Sequence, residues 1–222
     1  MNLDPKDAFF GGRTCAHKIF EKATDDREIT YLDVTSLYPA VNYFTPYPVG
    51  VPDVIIPKES KVNWKSPEDI IHTGLYKVRI IAPKDLYLPV LPIRTSSKDP
   101  RLMFPLCIQC AANNTRKCVH TDEQRAWTST ITSIELKEAL LQGYRVTRCY
   151  RIWSYLKTDH LFKEYVQVFM KIKVEASGFP EGINTDEEKK GWKDEYLERL
   201  GIDIDLNNVK ENPGLRYMAK YL

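Results

Sequence analysis

The chain has 222 residues, 43% hydrophobic and 28% charged, with 32 lysines and arginines against 30 aspartates and glutamates. That is the composition of a folded protein of one large or two small domains, not of a disordered or fibrous chain. A net charge of +2 gives no global basicity, so any nucleic-acid surface has to be local.

The start, MNLDPKDAFFGG, is acidic and lacks the apolar stretch of a signal peptide. No later run approaches the roughly 18 apolar residues of a membrane span. Residues 1–20 read as a linker with Gly11-Gly12 as a turn, and residues 28–34, rich in β-branched and aromatic types, as a buried strand. A proline-rich stretch follows, a possible short helix and then extended loop. Residues 74–82 alternate as a strand, and LYLPVLPIR continues extended. Residues 132–144 carry Ile134, Leu136, Ala139 and Leu140 on one side of a short helix that Gly143 stops. RVTRCYRIWSYL is a strand. A longer helix presents Phe162, Tyr165, Val166, Phe169 and Ile172 at helical spacing. Thr185 and Glu188 form a capping box for the next helix, and Pro213 opens a last one. The order is α+β: an antiparallel sheet with a helical lobe.

Five cysteines are an odd number, and three fall within twelve residues, which favours a reducing, intracellular setting and metal over disulfides. Cys107-x2-Cys110-x7-Cys118-x-His120 offers three thiolates and an imidazole, the donor set of a closed structural Zn²⁺ site. The intervening AANNTRK has little apolar content to hold itself folded; a surface loop with free thiols is the plainer alternative. Cys15 and Cys149 are expected to pack as small hydrophobes.

Asp33 closes the 28–34 run and is followed by Thr35-Ser36-Leu37 and Tyr38-Pro39. A strand-terminal carboxylate is a hard ligand for Mg²⁺, and backbone N–H groups exposed at a helix start suit phosphate oxygens. Alone, the turn also fits an ordinary capped helix. Arg216 and Lys220 lie one turn apart in the last helix, and Lys171 and Lys173 late in an earlier one; such pairs either grip a polyphosphate or simply solvate a helix.

The string Asp33-Val-Thr-Ser-Leu-Tyr-Pro39 resembles the first catalytic motif of family B DNA polymerases, D-x-x-S-L-Y-P. FFGGRT is similar to the aromatic-x-Gly-Gly motif of the protein-primed subgroup, with Phe9 in the usual tyrosine place. NPGLRYMAKYL resembles the start of the second motif, K-x-x-x-N-S-x-Y-G, with Lys220 as its lysine. The cysteine loop and the motif order resemble most the polymerases of viruses, linear plasmids and Polinton-type mobile elements.

The resemblance implies a polymerase fragment: a linker from a missing exonuclease (1–20), a palm part (21–103), a zinc-stapled insertion (104–125), more palm (126–160) and truncated fingers (161–222). It implies that Asp33, with the Val34 carbonyl, holds catalytic Mg²⁺, and that Ser36 and Leu37 offer N–H groups to the incoming triphosphate. It further implies that Tyr38 lies under the deoxyribose, that Lys173, Arg216 and Lys220 neutralise the triphosphate, and that Phe9, Gly11 and Gly12 contact DNA. The implied partners are primer-template DNA, dNTPs and a terminal priming protein, with no membrane. Thr35 replaces a frequent asparagine and Arg216 a frequent lysine.

The rest of the second motif and the third, Tyr-x-Asp-Thr-Asp, do not follow Lys220. Asp203 and Asp205 precede it and read as loop. The chain alone is therefore expected not to polymerise DNA. A non-catalytic nucleic-acid-binding or interaction module derived from such a polymerase is the alternative, and a structural zinc domain with a chance match the plainest one.

Overall fold

The computed structural model describes residues 1–94, 101–115 and 117–221. The chain divides into two compact units, one of residues 1–29 and 48–158, the other of residues 30–47 and 159–222. Two short strands, β1 (Tyr47–Val49) and β9 (Lys157–Asp159), fall at the positions in the sequence where the chain passes between them. No helix among the described residues is long and apolar enough to cross a membrane.

The first unit is built on an antiparallel sheet of β2 (Asp53–Ile55), β8 (Arg145–Ser154), β4 (Gly74–Ile81) and β7 (Trp127–Thr132), in that order, with β3 (Lys61–Trp64) also paired to β8. Alternation puts Tyr76, Val78 and Ile80 of β4 on one face. Ile131, Val146, Cys149 and Ile152 from its neighbours join them in the core. Helix α4 (Ser133–Leu141) closes that face with Leu136, Ala139 and Leu140. Thr132 caps α4 by accepting from the Glu135 N–H at 3.2 Å, and Gly143 takes a φ of 84° just after it. Ile134, expected on the buried side, is exposed. The two fully buried phenols are satisfied: Tyr76 donates to the His72 carbonyl and Tyr144 accepts from the Val90 N–H. Of the LYLPVLPIR segment only β5 (Ile93–Arg94) is strand, paired with β6 (Leu102–Met103).

The opening residues are more than a tether. A 3-10 turn at Pro5–Ala8 puts Leu3 and Ala8 against Leu75 and Trp153 on the other side of the sheet. Cys149 is buried as expected, and burial pushes its thiol up to about 11. Cys15 is exposed instead, 3.6 Å from His17 Nε2, in a stretch, residues 11–35, that is exposed throughout.

The second unit contains α1 (Leu37–Phe44), α5 (Lys163–Glu175), α6 (Asp186–Leu200) and α7 (Pro213–Tyr221). Its core is small: Val174, Ile202 and Ile204, with Met170, Trp192, Tyr196, Leu200 and Val209 around them. Polar links supply the rest. Gln167 Nε2 donates to the Leu200 carbonyl at 2.9 Å, Tyr43 donates to the same carbonyl, and Glu175 accepts from the Asp205 N–H at 2.8 Å. The Asn212 and Lys210 N–H groups donate to Ala176 and Glu175 carbonyls at 2.9 Å, which fixes the start of α7 beside the end of α5.

Residues 28–34 are not the buried strand that their composition suggests. Ile29, Tyr31, Leu32 and Val34 are exposed, and no strand among the described residues pairs with them. β-propensity measures fit to a pleated, half-buried surface, and without a partner ladder it does not make a strand.

Candidate functional site

Two constellations bear chemistry, one in each unit. In the helical unit, an open cleft of about 800 Å³ is lined from three elements. Asp33, Thr35, Ser36, Tyr38 and Asn42 come from the turn and α1. Lys173 comes from α5, and Arg216 and Lys220 from α7. Val34 and Leu37 line a smaller recess on the same turn. Eight of the residues singled out from sequence thus gather about one turn and one cleft. Phe9, Gly11 and Gly12 lie in the other unit, where the Phe9 carbonyl accepts from Arg94 at 2.9 Å and both glycines stand in open space.

The turn is unusual. Ser36 precedes α1 at φ 56° and ψ 34°, the left-handed region, and its side chain makes no cap hydrogen bond. This is not the ordinary capped start that the sequence alone also allows. Such conformations cost an L-residue about 1–2 kcal/mol. The Ser36 carbonyl still accepts from the Ala40 N–H, at 3.0 Å. The N–H groups of the first helical turn have no intrahelical acceptor and stay available to an anion.

Electrostatics distinguish the lysines. Lys171 pairs with Glu175 at 3.8 Å. Lys173, Arg216 and Lys220 have no ion pair among the described residues. Asp33 is the one carboxylate lining the cleft among those residues. Aromatic walls flank the charges. Tyr165 and Phe169 on α5 stand with ring centroids 4.7 Å apart, and Tyr217 and Tyr221 on α7 at 4.5 Å. The sequence pattern assigned none of these rings to the cleft. Their signal was the i, i+4 repeat on each helix, which at Tyr165 and Phe169 read only as helical spacing. In fact Tyr165 is 50% exposed and Tyr217 63%.

The second constellation is the cysteine segment of the sheet unit. It contains a short helix, α2 (Ile108–Asn113), where a plain loop was expected. Cys107 is its N-cap, with the Cys110 N–H donating to Cys107 Sγ at 3.4 Å, so one turn brings two sulfurs together. His120 Nδ1 lies 3.4 Å from the sulfurs of Cys107 and Cys110 and 3.8 Å from that of Cys118. All four donor atoms fall within 4.8 Å of one another. Zinc bond lengths of about 2.3 Å to sulfur and 2.0 Å to nitrogen put the S···N edges of a tetrahedron near 3.6 Å. The donor set fits that ion.

The Cys118 thiol is drawn down to about 6, first by the His120 backbone N–H and then by the His120 ring, whereas burial pushes Cys107 up. Buried Arg125 ties the segment to the sheet. It donates to the Leu106 carbonyl at 3.1 Å, to Ala82 at 2.8 Å and to Pro83 at 3.0 Å. Arg125 is the last residue of α3 (Asp122–Arg125), and Asp122, held below the usual carboxylate range mainly by Arg145, pairs with both arginines.

The fold and the cleft define a mixed α/β protein whose helical unit sets one carboxylate against three cations, without ion pairs among the described residues, and a ring-lined wall. The chain belongs to the family described as DNA polymerase type B, organellar and viral, whose sequence model matches residues 4–182. Comparison with curated proteins and with solved structures gave no match. Membership makes this a nucleotidyltransferase family protein, of a kind that acts on a DNA template and dNTPs with divalent metal. The residues present fit such metal only in part. Asp33 is one hard ligand, and two-metal chemistry requires further carboxylates that no described residue brings into the cleft.

Proposed function

We propose that the cleft of the helical unit is the triphosphate end of a DNA polymerase active site, serving template-directed addition of dNTPs. The observation that carries this reading is the convergence of Asp33, Ser36, Tyr38, Lys173, Arg216 and Lys220 on one cleft, with no ion pair to its three cations among the described residues. What these residues supply is positional and electrostatic. Lys173, Arg216 and Lys220 neutralise phosphate oxygens, and the N–H groups of Ser36 and Leu37 donate to them. Tyr38 forms a flat wall under the sugar that disfavours a 2′-OH. Asp33, assisted by the Val34 carbonyl, would hold a Mg²⁺ ion, which would supply positive charge for the phosphates.

In this reading Phe9, Gly11 and Gly12 contact DNA, initiation is protein-primed with a terminal protein as partner, and the chain derives from a viral or mobile-element polymerase in a reducing compartment. The Cys107, Cys110, Cys118 and His120 cluster holds a structural Zn²⁺. A second reading, a non-catalytic nucleic-acid-binding module, is favoured by the single carboxylate in the cleft.

Titration calorimetry decides between them. The chain should bind a dNTP weakly in the presence of Mg²⁺, and Asp33→Ala or Lys220→Ala should weaken that binding severalfold. Equal binding by all three proteins would sink the nucleotide reading. In primer extension the chain alone should be inactive; measurable synthesis would refute the need for carboxylates beyond Asp33.

A further inference from the structure

The sheet of the first unit has an outer face, opposite the core side of Tyr76, Val78 and Ile80, and its charge is not explained by the cleft. Side chains alternate along β4, so Lys77, Arg79 and Ile81 share that outer face. Cross-strand pairing fixes their neighbours: Arg151 stands opposite Lys77, Arg148 opposite Arg79, and Arg145 opposite Ile81. On the far side of β8, Lys61 of β3 is again opposite Arg148.

Two register shifts make this possible. One lies between the partners of Lys77 and Val78, the other between those of Arg79 and Ile80, and each takes up an extra residue on β8. Arginines three apart in sequence, which an ideal strand would divide between its faces, therefore all reach one face. Lys61, Arg148 and Arg79 form a rank across three strands, about 10 Å wide, and successive ranks along β4 are about 7 Å apart.

Like charges set directly opposite one another are destabilising, so packing gives no reason for this arrangement. No outer position fixed by the pairing is acidic; β7 contributes Thr130 and Thr128 opposite Lys77 and Arg79. Carboxylates come from outside these strands, Asp7 to Lys77 at 3.5 Å, Glu123 to Arg79 at 3.1 Å and Asp122 to Arg145. Lys61, Arg148 and Arg151 have no ion pair among the described residues. Arg151 Nε is buried without a hydrogen-bond partner.

We propose that this face docks the phosphate backbone of duplex DNA without reading its sequence. The inference rests on the polymerase reading only for the choice of DNA as the polyanion. Guanidinium forks are phosphate ligands, and ranks of them position a duplex while carrying no base code. Single-stranded binding needs exposed aromatic platforms. The aromatic residue that register fixes on this face, Trp153, is packed against Leu3, Ala8 and Leu75 instead.

The test is fluorescence anisotropy of a labelled duplex of arbitrary sequence with the full chain over a range of salt. Replacing Arg148 and Arg151 by glutamine should weaken binding roughly tenfold and lower the slope of log K against log salt by about 1.8, near 0.9 for each phosphate left without its cation. A second pair, Lys61→Gln with Arg148→Gln, changes two exposed side chains and should give a similar weakening with an unaltered melting curve. Asp33→Ala should leave the duplex affinity and slope unchanged, so that failure of the nucleotide site and failure of this face are read separately. Unchanged affinity and slope in both double variants would overturn the proposal. So would tighter binding to a single strand than to the duplex, or binding to phosphatidylserine vesicles with none to DNA.

Discussion

Ser36 is where local geometry departs furthest from what its residue type prefers. A left-handed serine with no side-chain compensation is strained, and strain of this kind gathers at sites that position ligands. The turn lines one recess together with Asp33 and Tyr38. Ser36→Gly should therefore keep or raise stability by up to about 1 kcal/mol, while Ser36→Val should lower it by about 2 kcal/mol. Urea unfolding midpoints measure both, and a valine variant as stable as the parent would show that the turn relaxes freely. The motif letters were plain in the sequence, but the backbone state was not. Ser at that position reads as a cap, and only the φ of its residue shows that it is not one.

At the scale of elements, the cysteine segment and α6 depend on different small devices. The first has four convergent donors and few apolar neighbours. Metal analysis of purified chain should find close to one zinc, absent from Cys110→Ser, with chelation raising protease cleavage within residues 104–122. A metal-free chain with the same protease resistance would contradict the staple. Helix α6 is capped reciprocally, with the Glu188 N–H donating to Thr185 Oγ1 at 3.2 Å and Thr185 and Asn184 N–H groups donating to Glu188 at 2.8 Å. Thr185→Ala should cost about 1 kcal/mol.

Those two N–H donors hold the Glu188 carboxyl below its ordinary value. Its folded value lies below its unfolded one, so this contribution is full above the unfolded pKa of about 4.3 and fades as pH falls through the folded value. Glu188→Gln should flatten stability in that acid window; an unchanged acid profile would remove the carboxylate from the cap. Both the box and the cysteine spacing were legible as strings because they are local. The aromatic pairs Tyr165–Phe169 and Tyr217–Tyr221 were not, because the i, i+4 spacing is the same whether a stripe faces a core or a cleft.

For the whole molecule, the sheet was readable strand by strand from alternation, as β4 and β8 demonstrate, but the pairing was not. Residues 28–34 have the composition of a strand and no ladder to join. Conversely, the positive outer face of the sheet was hidden in a near-neutral total, since its arginines fall into phase only through two bulges that no periodicity announces. Helix α6, with six carboxylates against Lys189, Lys190, Lys193 and Arg199, nets only −2, so the balancing acidic residues are spread over the rest of the chain. Net charge bounds solubility and leaves the distribution open.

The helical unit is assembled from two separate stretches, residues 30–47 and 159–222, with most of the sheet unit written between them. During synthesis this order becomes a delay. Asp33 leaves the ribosome well before the α7 cations that share its cleft. At roughly 5–20 residues per second the interval is on the order of ten seconds or more. For that time Tyr31, Leu32, Val34 and Tyr38 wait without α5, α6 and α7, while the strands of the sheet unit are being made. The cleft therefore cannot form until the sheet unit that separates its two halves has been made.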